Sequence, residues 1–239
     1  MLDEVVDVRD RVSRRRQLPE EVASYVRELI ISGAVKPGEF LRMERIAEQV
    51  GVSNTPVREG LLALQSEGFV QLVPRRGFVV APFTQQDVRD LFWAQAQLAR
   101  ELAARAAKKI TPEGIARLDA NLEELQKAVA ADDTDRIADL GHAFHREINL
   151  AADSHRLALL LGSVVNHLPN RFYASIEEQV SATGDEHPLL VEAMRQHDVR
   201  KARSLMEHHI MASADHLIDI LEDRGLWDNR ETDAHESAS

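Results

Sequence analysis

The sequence has no cysteine among its 239 residues, which excludes disulfide bonds, thiolate zinc sites and cysteine nucleophiles. It also lacks any apolar run that approaches the roughly 20 residues needed to span a bilayer. Residues 1–16 are rich in charge and contain no apolar stretch of the kind found in a secretory signal. We therefore expect a soluble cytoplasmic protein without membrane contact, long enough for one large domain or two ordinary ones.

Positively charged residues are outnumbered by acidic ones, and the balance differs between the two parts of the chain. The formal net charge is −11, which is unusual for a nucleic-acid-binding protein because phosphate neutralisation requires Lys and Arg. Residues 1–83 are nevertheless balanced, with 12 Lys and Arg against 12 Asp and Glu, whereas residues 84–239 carry 17 against 28. All ten histidines lie at or beyond His142. This asymmetry indicates two functions on one chain, of which only the first tolerates a polyanion.

Glycine and proline interrupt the first third of the chain and become rare afterwards. Apolar spacing there predicts helices over residues 20–32, 43–50 and about 55–67, followed by a β-hairpin within 69–80. The later sequence is rich in Ala and Leu and predicts an antiparallel bundle of six or seven helices. The predicted helices of the bundle lie near residues 85–109, 112–131, 133–152, 155–168, 170–182, 186–197 and 199–224.

These patterns predict a mainly α protein with four parts. A flexible arm (1–15) precedes a winged helix-turn-helix domain (16–83), and an all-α bundle (84–224) precedes a disordered tail (225–239). In a winged helix-turn-helix the second helix enters the major groove, and its N-terminal residues face base edges and phosphates.

The predicted recognition helix begins with a sequence suited to this contact. Ser53 or Thr55 can cap it, and Pro56 fits its first turn, where the backbone N–H groups have no partner within the helix. Such N–H groups suit a phosphate, and Arg58 can reach a phosphate or a guanine edge. Our candidate residues for contact with double-stranded DNA, including the wing tip, are Arg42, Ser53, Asn54, Thr55, Arg58, Arg75, Arg76 and Gly77.

Four motifs in order carry a resemblance to the GntR-type winged helix. They are SGAVKPGE (32–39), IAEQVGVSNTPVRE (46–59), LQSEGFV (64–70) and RGFVV (76–80), and together they cover about residues 16–82. The resemblance implies an operator-binding regulator. The family usually has arginine where this chain has Asn54. Because asparagine bonds adenine and is uncharged, we expect an altered operator sequence and salt dependence.

Two histidines near the C-terminus are placed symmetrically about a predicted turn. His187 and His209 each lie 11 residues from Asp198, and residues equidistant from the turn of an antiparallel helical hairpin lie opposite one another. Two facing imidazoles supply half of a metal site, although two ordinary core histidines fit the pattern equally well. His145 is also predicted to point inward, but the sequence does not place it near the other two.

Residues 84–224 resemble the FadR C-terminal (FCD) ligand-binding domain through the motifs FHR (144–146), EH (186–187) and HHI (208–210). The resemblance implies a zinc or nickel ion held by His145, His187 and His209 with an aspartate four residues before the first. That position is Gly141 here, which leaves an open coordination sphere for water or an organic carboxylate.

The expected effector, a small carboxylate, also comes from the resemblance. Gln95 stands where members often carry arginine, and the glutamate that usually follows on that helix is missing. Gln95 and Asn149 are our candidate effector-binding residues, with His142 and Asn149 as candidate replacements for the missing aspartate.

The sequence therefore predicts a ligand-responsive transcription regulator, which is not an enzyme and joins the nucleoid when bound to DNA. We expect a homodimer on a roughly palindromic operator, because two-fold protein symmetry must match two half-sites. We further expect a repressor released by a small organic acid. One alternative is a metal sensor with no organic effector. Another is a metal-dependent hydrolase, but the sequence places no carboxylate beside the histidines to act as general base.

Overall fold

The computed structural model describes residues 2–168, 186–223 and 225–227. Within them the chain forms nine helices and one three-stranded sheet. The elements in order are α1 (Leu2–Ile31), β1 (Phe40–Leu41), α2 (Met43–Val50), α3 (Asn54–Ser66), β2 (Val70–Val73), β3 (Gly77–Val80), α4 (Gln85–Lys109), α5 (Pro112–Ala130), α6 (Thr134–Ala151), α7 (His155–Val165), α8 (Glu186–Arg195) and α9 (Val199–Asp223).

The chain divides into two compact units. The first comprises Met1–Thr84 with Ile220–Ser239, and the second comprises Gln85–Asp219. Helix α9 therefore begins in the second unit and ends in the first. The mainly helical architecture, with a small sheet near the N-terminus and a helical bundle after it, agrees with the predicted fold class. The helix predicted over residues 170–182 lies outside the described residues.

The first unit is built on close packing of α1 against α3. Val22 and Val26 of α1 and Leu61 of α3 are fully buried. Gly60 permits the close approach, because a Cβ atom there would lie 2.6 Å from the Pro19 carbonyl oxygen. The absence of a side chain on α3 thus fixes how near the two helices come.

A buried ion pair ties the same two helices together. Arg27 of α1 is only 3% exposed, and its guanidinium donates two hydrogen bonds to one carboxylate oxygen of Glu67, at 3.2 and 2.8 Å. The guanidinium carbon also lies 5.9 Å from the centre of the Phe69 ring. Removing either charged partner would leave the other poorly solvated, so the pair specifies how α1 meets the end of α3.

The sheet is the wing that the sequence predicts. Its strand order is β1-β3-β2, with both pairings antiparallel. Phe78 of β3 lies opposite Leu41 on one side and Leu72 on the other, and its side chain is buried. The wing is thus anchored to the core of the first unit through its central strand.

The two ends of the chain differ from the prediction. The expected flexible arm at residues 1–15 is helical from Leu2, as a continuation of α1. Residues 225–227, expected to be disordered, form a turn, and the indole N–H of Trp227 donates a 2.7 Å hydrogen bond to the Phe83 carbonyl. That bond is formed within the first unit, and it gives the turn a fixed partner. Residues 228–239 lie outside the described residues.

The second unit is a bundle in which α4 lies among several partners. Helix α4 packs against α6, α7 and α8, and α5 packs against α6 and α8. Ion pairs also join α4 to α9: Arg100 binds Glu207 at 2.8 Å, and Arg203 binds Glu101 at 2.7 Å. Among the described residues, no helix is both long enough and apolar enough to cross a membrane.

Exchanging Gly60 for alanine tests the packing of α1 on α3. Because the added methyl group would clash with backbone as well as with Val22, we expect Gly60→Ala to destabilise the first unit by about 1–3 kcal/mol. Gly162→Ala in α7 is the matched control, since a Cβ atom there meets nothing within 4 Å. Removal of a helical glycine should then stabilise by about 0.5–1 kcal/mol. Urea unfolding followed by circular dichroism measures both, and equal stability of Gly60→Ala and wild type would contradict the packing argument.

Candidate functional site

The first candidate site lies where α2 turns into α3. Helix α2 ends at Gly51, whose φ of 76° is in the left-handed region that glycine adopts without strain. Ser53 then occupies the N-cap position of α3, but its side chain forms no capping hydrogen bond. The first backbone N–H groups of α3 therefore keep their capacity to bind an outside acceptor.

The start of α3 presents polar side chains to solvent and apolar ones to the core. Ser53, Asn54, Thr55 and Arg58 are exposed, whereas Val57 is fully buried. Asn54, the first residue of the helix, and Arg58, one turn later, are thus both available to a ligand outside the protein. This is the arrangement that a recognition helix requires.

The wing carries the remaining candidate DNA contacts. Arg75 is exposed in a left-handed conformation (φ 65°), and Gly77 follows with φ 100°, so the tip is a tight reversal. The Arg76 guanidinium lies 4.5 Å from the centre of the Phe40 ring on β1, within the range of a cation–π contact. Arg42 is exposed at the N-cap of α2. Sequence reasoning missed Phe40, because only the pairing of β1 with β3 brings it to the wing.

The second candidate site brings together three histidines from three helices. His145 of α6, His187 of α8 and His209 of α9 each offer a ring nitrogen, and these three atoms lie within 4.8 Å of one another. The Nε2 atoms of His145 and His209 are 3.2 Å apart, and the rings of His187 and His209 are 4.9 Å apart between centres. The symmetric spacing about Asp198 did predict the facing pair, whereas only the tertiary fold places His145 beside it.

A carboxylate orients one of the three rings. Glu186 accepts a 2.7 Å hydrogen bond from Nδ1 of His209, and Nε2 of the same ring faces His145. This bond lowers the pKa of Glu186, so the carboxylate is charged at neutral pH. Metal-binding histidines characteristically donate their second N–H to such a group. In the sequence Glu186 stands out only as part of the EH motif, because its partner is 23 residues away on another helix.

Burial keeps the other two rings neutral. Loss of hydration and the nearby His209 lower the pKa of His145 to about 3, and the same causes hold the pKa of His187 well below its usual range. A neutral imidazole has the lone pair that a metal requires, whereas a protonated ring does not. His145 and His187 are therefore in the protonation state that a metal ligand requires at physiological pH.

The geometry of the cluster fits a divalent ion. Zinc–nitrogen bonds of 2.0–2.1 Å in tetrahedral geometry place ligand nitrogens about 3.3 Å apart, and the His145–His209 pair is already at 3.2 Å. The third nitrogen lies within 4.8 Å of the others and would have to move inward to bind the same ion. Three nitrogen ligands leave at least one coordination position for another donor.

A cavity of about 480 Å³ adjoins the cluster within the second unit. Gly141, Gln95 and Asn149 all line it, together with His145 and His209. Gln95 is buried, Asn149 is half-buried, and Gly141 contributes no side chain where an aspartate was expected from the family pattern. The predicted effector residues and two of the three clustered histidines thus border one space.

Comparison with known proteins assigns both units. Residues 18–80 match the model of the bacterial regulatory proteins of the gntR family, and residues 90–212 match that of the FCD domain. The chain belongs to the GntR family of bacterial regulators. It therefore combines a GntR helix-turn-helix with an FCD domain, as the motifs predicted.

Individual GntR-family relatives agree with this assignment. The transcriptional regulator McbR of Escherichia coli strain K12 is 31% identical over 128 residues, which cover 54% of this chain and 58% of McbR. The transcriptional repressor GlaR of the same strain is 29% identical over 192 residues, covering 76% of this chain and 87% of GlaR. The structure of Escherichia coli McbR superposes with a TM-score of 0.61 at 24% identity, over 87% of this chain and 98% of that one, which shows a shared fold.

Both domains are found in transcription regulators and not in enzymes, and the relatives McbR and GlaR are themselves named as transcription regulators. This decides against the hydrolase alternative. The carboxylate that the structure brings to the cluster, Glu186, also binds the nitrogen of His209 that faces away from the other histidines. Glu186 is therefore placed to orient a ligand ring and not to activate water between the rings.

Exchanging Glu186 for glutamine tests its role at the cluster. Loss of the negative charge weakens the orienting hydrogen bond and makes the His209 ring a poorer ligand, so we expect Glu186→Gln to bind zinc about 10–100-fold more weakly. Competition against a chromogenic chelator measures this affinity. Glu192→Gln is the matched control, because Glu192 lies on the same helix and pairs with Arg195. Equal zinc affinity in Glu186→Gln and Glu192→Gln would contradict the role.

Proposed function

We propose that this GntR-family regulator is a homodimeric repressor whose operator affinity is set by what occupies its FCD domain. The carrying observation is that three clustered histidines meet beside a cavity, in a chain whose other unit exposes the polar start of α3. The first feature suits a bound ion and the second suits DNA. A regulator with both features binds a small molecule in one unit and responds with a change in its affinity for DNA.

DNA binding is assigned to the start of α3 and to the wing. Arg58 supplies a cation one turn into the helix, and Asn54 supplies an amide that can bond adenine in both directions. Arg75 and Arg76 supply cations at the wing, where a side chain can enter the adjacent minor groove. Ser53, Thr55, Arg42 and Gly77 complete the proposed surface through hydroxyl, guanidinium and backbone contacts to phosphate.

A divalent ion is assigned to His145, His187 and His209. Such an ion, when bound, acts as a Lewis acid that attracts an anionic donor to its open position. Since Gly141 contributes no carboxylate, the fourth ligand is water or the effector itself. Zinc and nickel are both compatible with a site of imidazole nitrogens.

Control of DNA binding requires that the effector prefer one of two states of the protein. A ligand with equal affinity for both would shift nothing, however tightly it bound. We assign the lower operator affinity to the effector-bound state, as a repressor requires, and the relative GlaR is likewise named a repressor. By linkage, operator DNA weakens effector binding by the same factor.

Homodimer formation is assigned to α4 and α7, which pack against each other in the second unit. Their outer surfaces carry Trp93, Leu159 and Leu160, which are 59%, 54% and 57% exposed. Exposed apolar side chains of this size are characteristic of association surfaces. Covering them with a second copy would supply the two-fold symmetry that a palindromic operator requires.

A metal-sensing regulator is the alternative that the histidine cluster favours. In that case the ion alone would change operator affinity, with no organic acid present. The cavity supports the first proposal over this one, because a pure metal sensor needs no space of about 480 Å³ beside its ion.

The salt dependence of DNA binding tests the proposed recognition helix. The DNA is the sequence recovered by selection from a random library with the wild-type protein, and we expect it to be palindromic. If Arg58 contacts a phosphate, Arg58→Gln should reduce the slope of log affinity against log salt by about 0.9, and Asn54→Arg should increase it by a similar amount. If Arg58 contacts a guanine edge, the variant should lose about 1–3 kcal/mol on the selected site alone.

Fluorescence anisotropy at several salt concentrations measures both quantities. Arg200→Gln, which removes an exposed arginine from α9 in the other unit, is the control and should behave as wild type. Unchanged slope and unchanged affinity in Arg58→Gln would remove α3 from the interface.

A further inference from the structure

The cavity beside the histidine cluster has a buried apolar wall. Phe92, Leu161, Met206 and Ile210 line it from α4, α7 and α9, and each is no more than 6% exposed. Its volume of about 480 Å³ is in the range of small-molecule sites. Most of the inner surface can therefore contact only apolar parts of a ligand.

Several polar groups of the cavity lining already have partners. The Ser213 hydroxyl donates to the His209 carbonyl at 2.9 Å. The Asp153 carboxylate binds Lys109 at 3.0 Å, and the Ser154 hydroxyl accepts from Arg105 at 3.0 Å. Gln95 and Asn149 also line the cavity and could bind a few hydroxyl groups of a ligand. Further hydroxyls would meet the apolar wall, where each buried hydroxyl without a partner is costly.

One arginine borders the cavity at its solvent side. Arg146 of α6 lines the space and is exposed, and within the described part of the chain it forms no ion pair. It follows His145 directly, so its charge lies on α6 next to one of the three clustered histidines. With Gln95 in the position where the family often has arginine, Arg146 is a cation available for an anionic group of the ligand.

We propose that the FCD cavity binds an amphipathic organic anion, with an alkyl or aryl body against the buried wall and its anionic group at Arg146. This inference rests on the proposed function, since it names the chemical class of the effector of that same cavity. The proposal disfavours polyhydroxylated acids, because the apolar wall would leave many of their hydroxyl groups without partners. The specificity comes from desolvation. Transfer of an apolar body from water to the cavity is favourable in free energy, whereas a polyol loses its hydrogen bonds with water.

Three probes of equal carbon number separate the two parts of the proposal. Hexanoate has an apolar body and a carboxylate, gluconate has the carboxylate with a hydroxylated body, and 1-hexanol has the apolar body without charge. Titration calorimetry on the full-length protein should show hexanoate binding at least 10-fold more tightly than gluconate and at least 5-fold more tightly than hexanol. Arg146→Gln should lower the hexanoate affinity about 10-fold and leave that of hexanol unchanged.

Arg200→Gln is the matched control, because this exposed arginine lies on α9, which also contributes to the cavity wall, but does not itself line the cavity. Gluconate binding as tightly as hexanoate would overturn the apolar assignment, and no effect of Arg146→Gln would overturn the anion assignment. Absence of hexanoate binding would overturn the whole inference. The affinity of each variant for the selected DNA separates these failures from failure of the proposed function. If the variants bind this DNA, a negative calorimetric result counts against the ligand class alone. If no variant binds DNA, the proposed function fails whatever the calorimetry shows.

Discussion

Desolvation of three imidazole rings is the constraint around which the FCD domain is arranged. Loss of hydration where α6, α8 and α9 bring the three histidines together holds His145 and His187 in the neutral form. The Nε2 atoms of His145 and His209 are 3.2 Å apart, which is close to the spacing of two nitrogen ligands on one metal ion. The charge of Glu186 on the outer side of His209 fixes which nitrogen faces inward. The cluster is thus preorganised for a cation, and the adjoining cavity gives that cation a route to a second ligand.

The two units differ in how they use charged residues. The first unit buries Arg27 against Glu67 to hold its helices and leaves Arg58 and Arg75 exposed, where we propose that they meet DNA. Residues 84–239 carry the excess of acidic residues, and the solvent side of the cavity in the second unit nevertheless presents Arg146. A net charge of −11 therefore does not oppose the proposed DNA binding, because residues 1–83, which hold the candidate DNA contacts, are balanced in charge.

The fold was largely predictable because local patterns determine most of it. Neighbouring residues determine the left-handed turn at Gly51 and the alternation of buried and less buried side chains around Phe78. The spacing along the sequence likewise determines that His187 and His209 lie opposite each other. Contacts between distant segments were not predictable. Phe40 meets Arg76, and Trp227 meets Phe83, only through the tertiary fold. The effect of Glu186 on His209 likewise depends on how α8 and α9 pack, which their separate sequences do not specify.

The central claim is that occupation of the histidine-lined site sets operator affinity. The direct measurement is the affinity for selected operator DNA of metal-stripped protein, of zinc-loaded protein, and of zinc-loaded protein with hexanoate, in wild type and in His187→Ala. We predict that at least one of these changes of occupancy shifts the wild-type affinity by about fivefold or more, a typical allosteric coupling, and that His187→Ala loses the shift while still binding the operator. Three wild-type affinities that agree within twofold, with calorimetry showing zinc and hexanoate bound, would contradict the account.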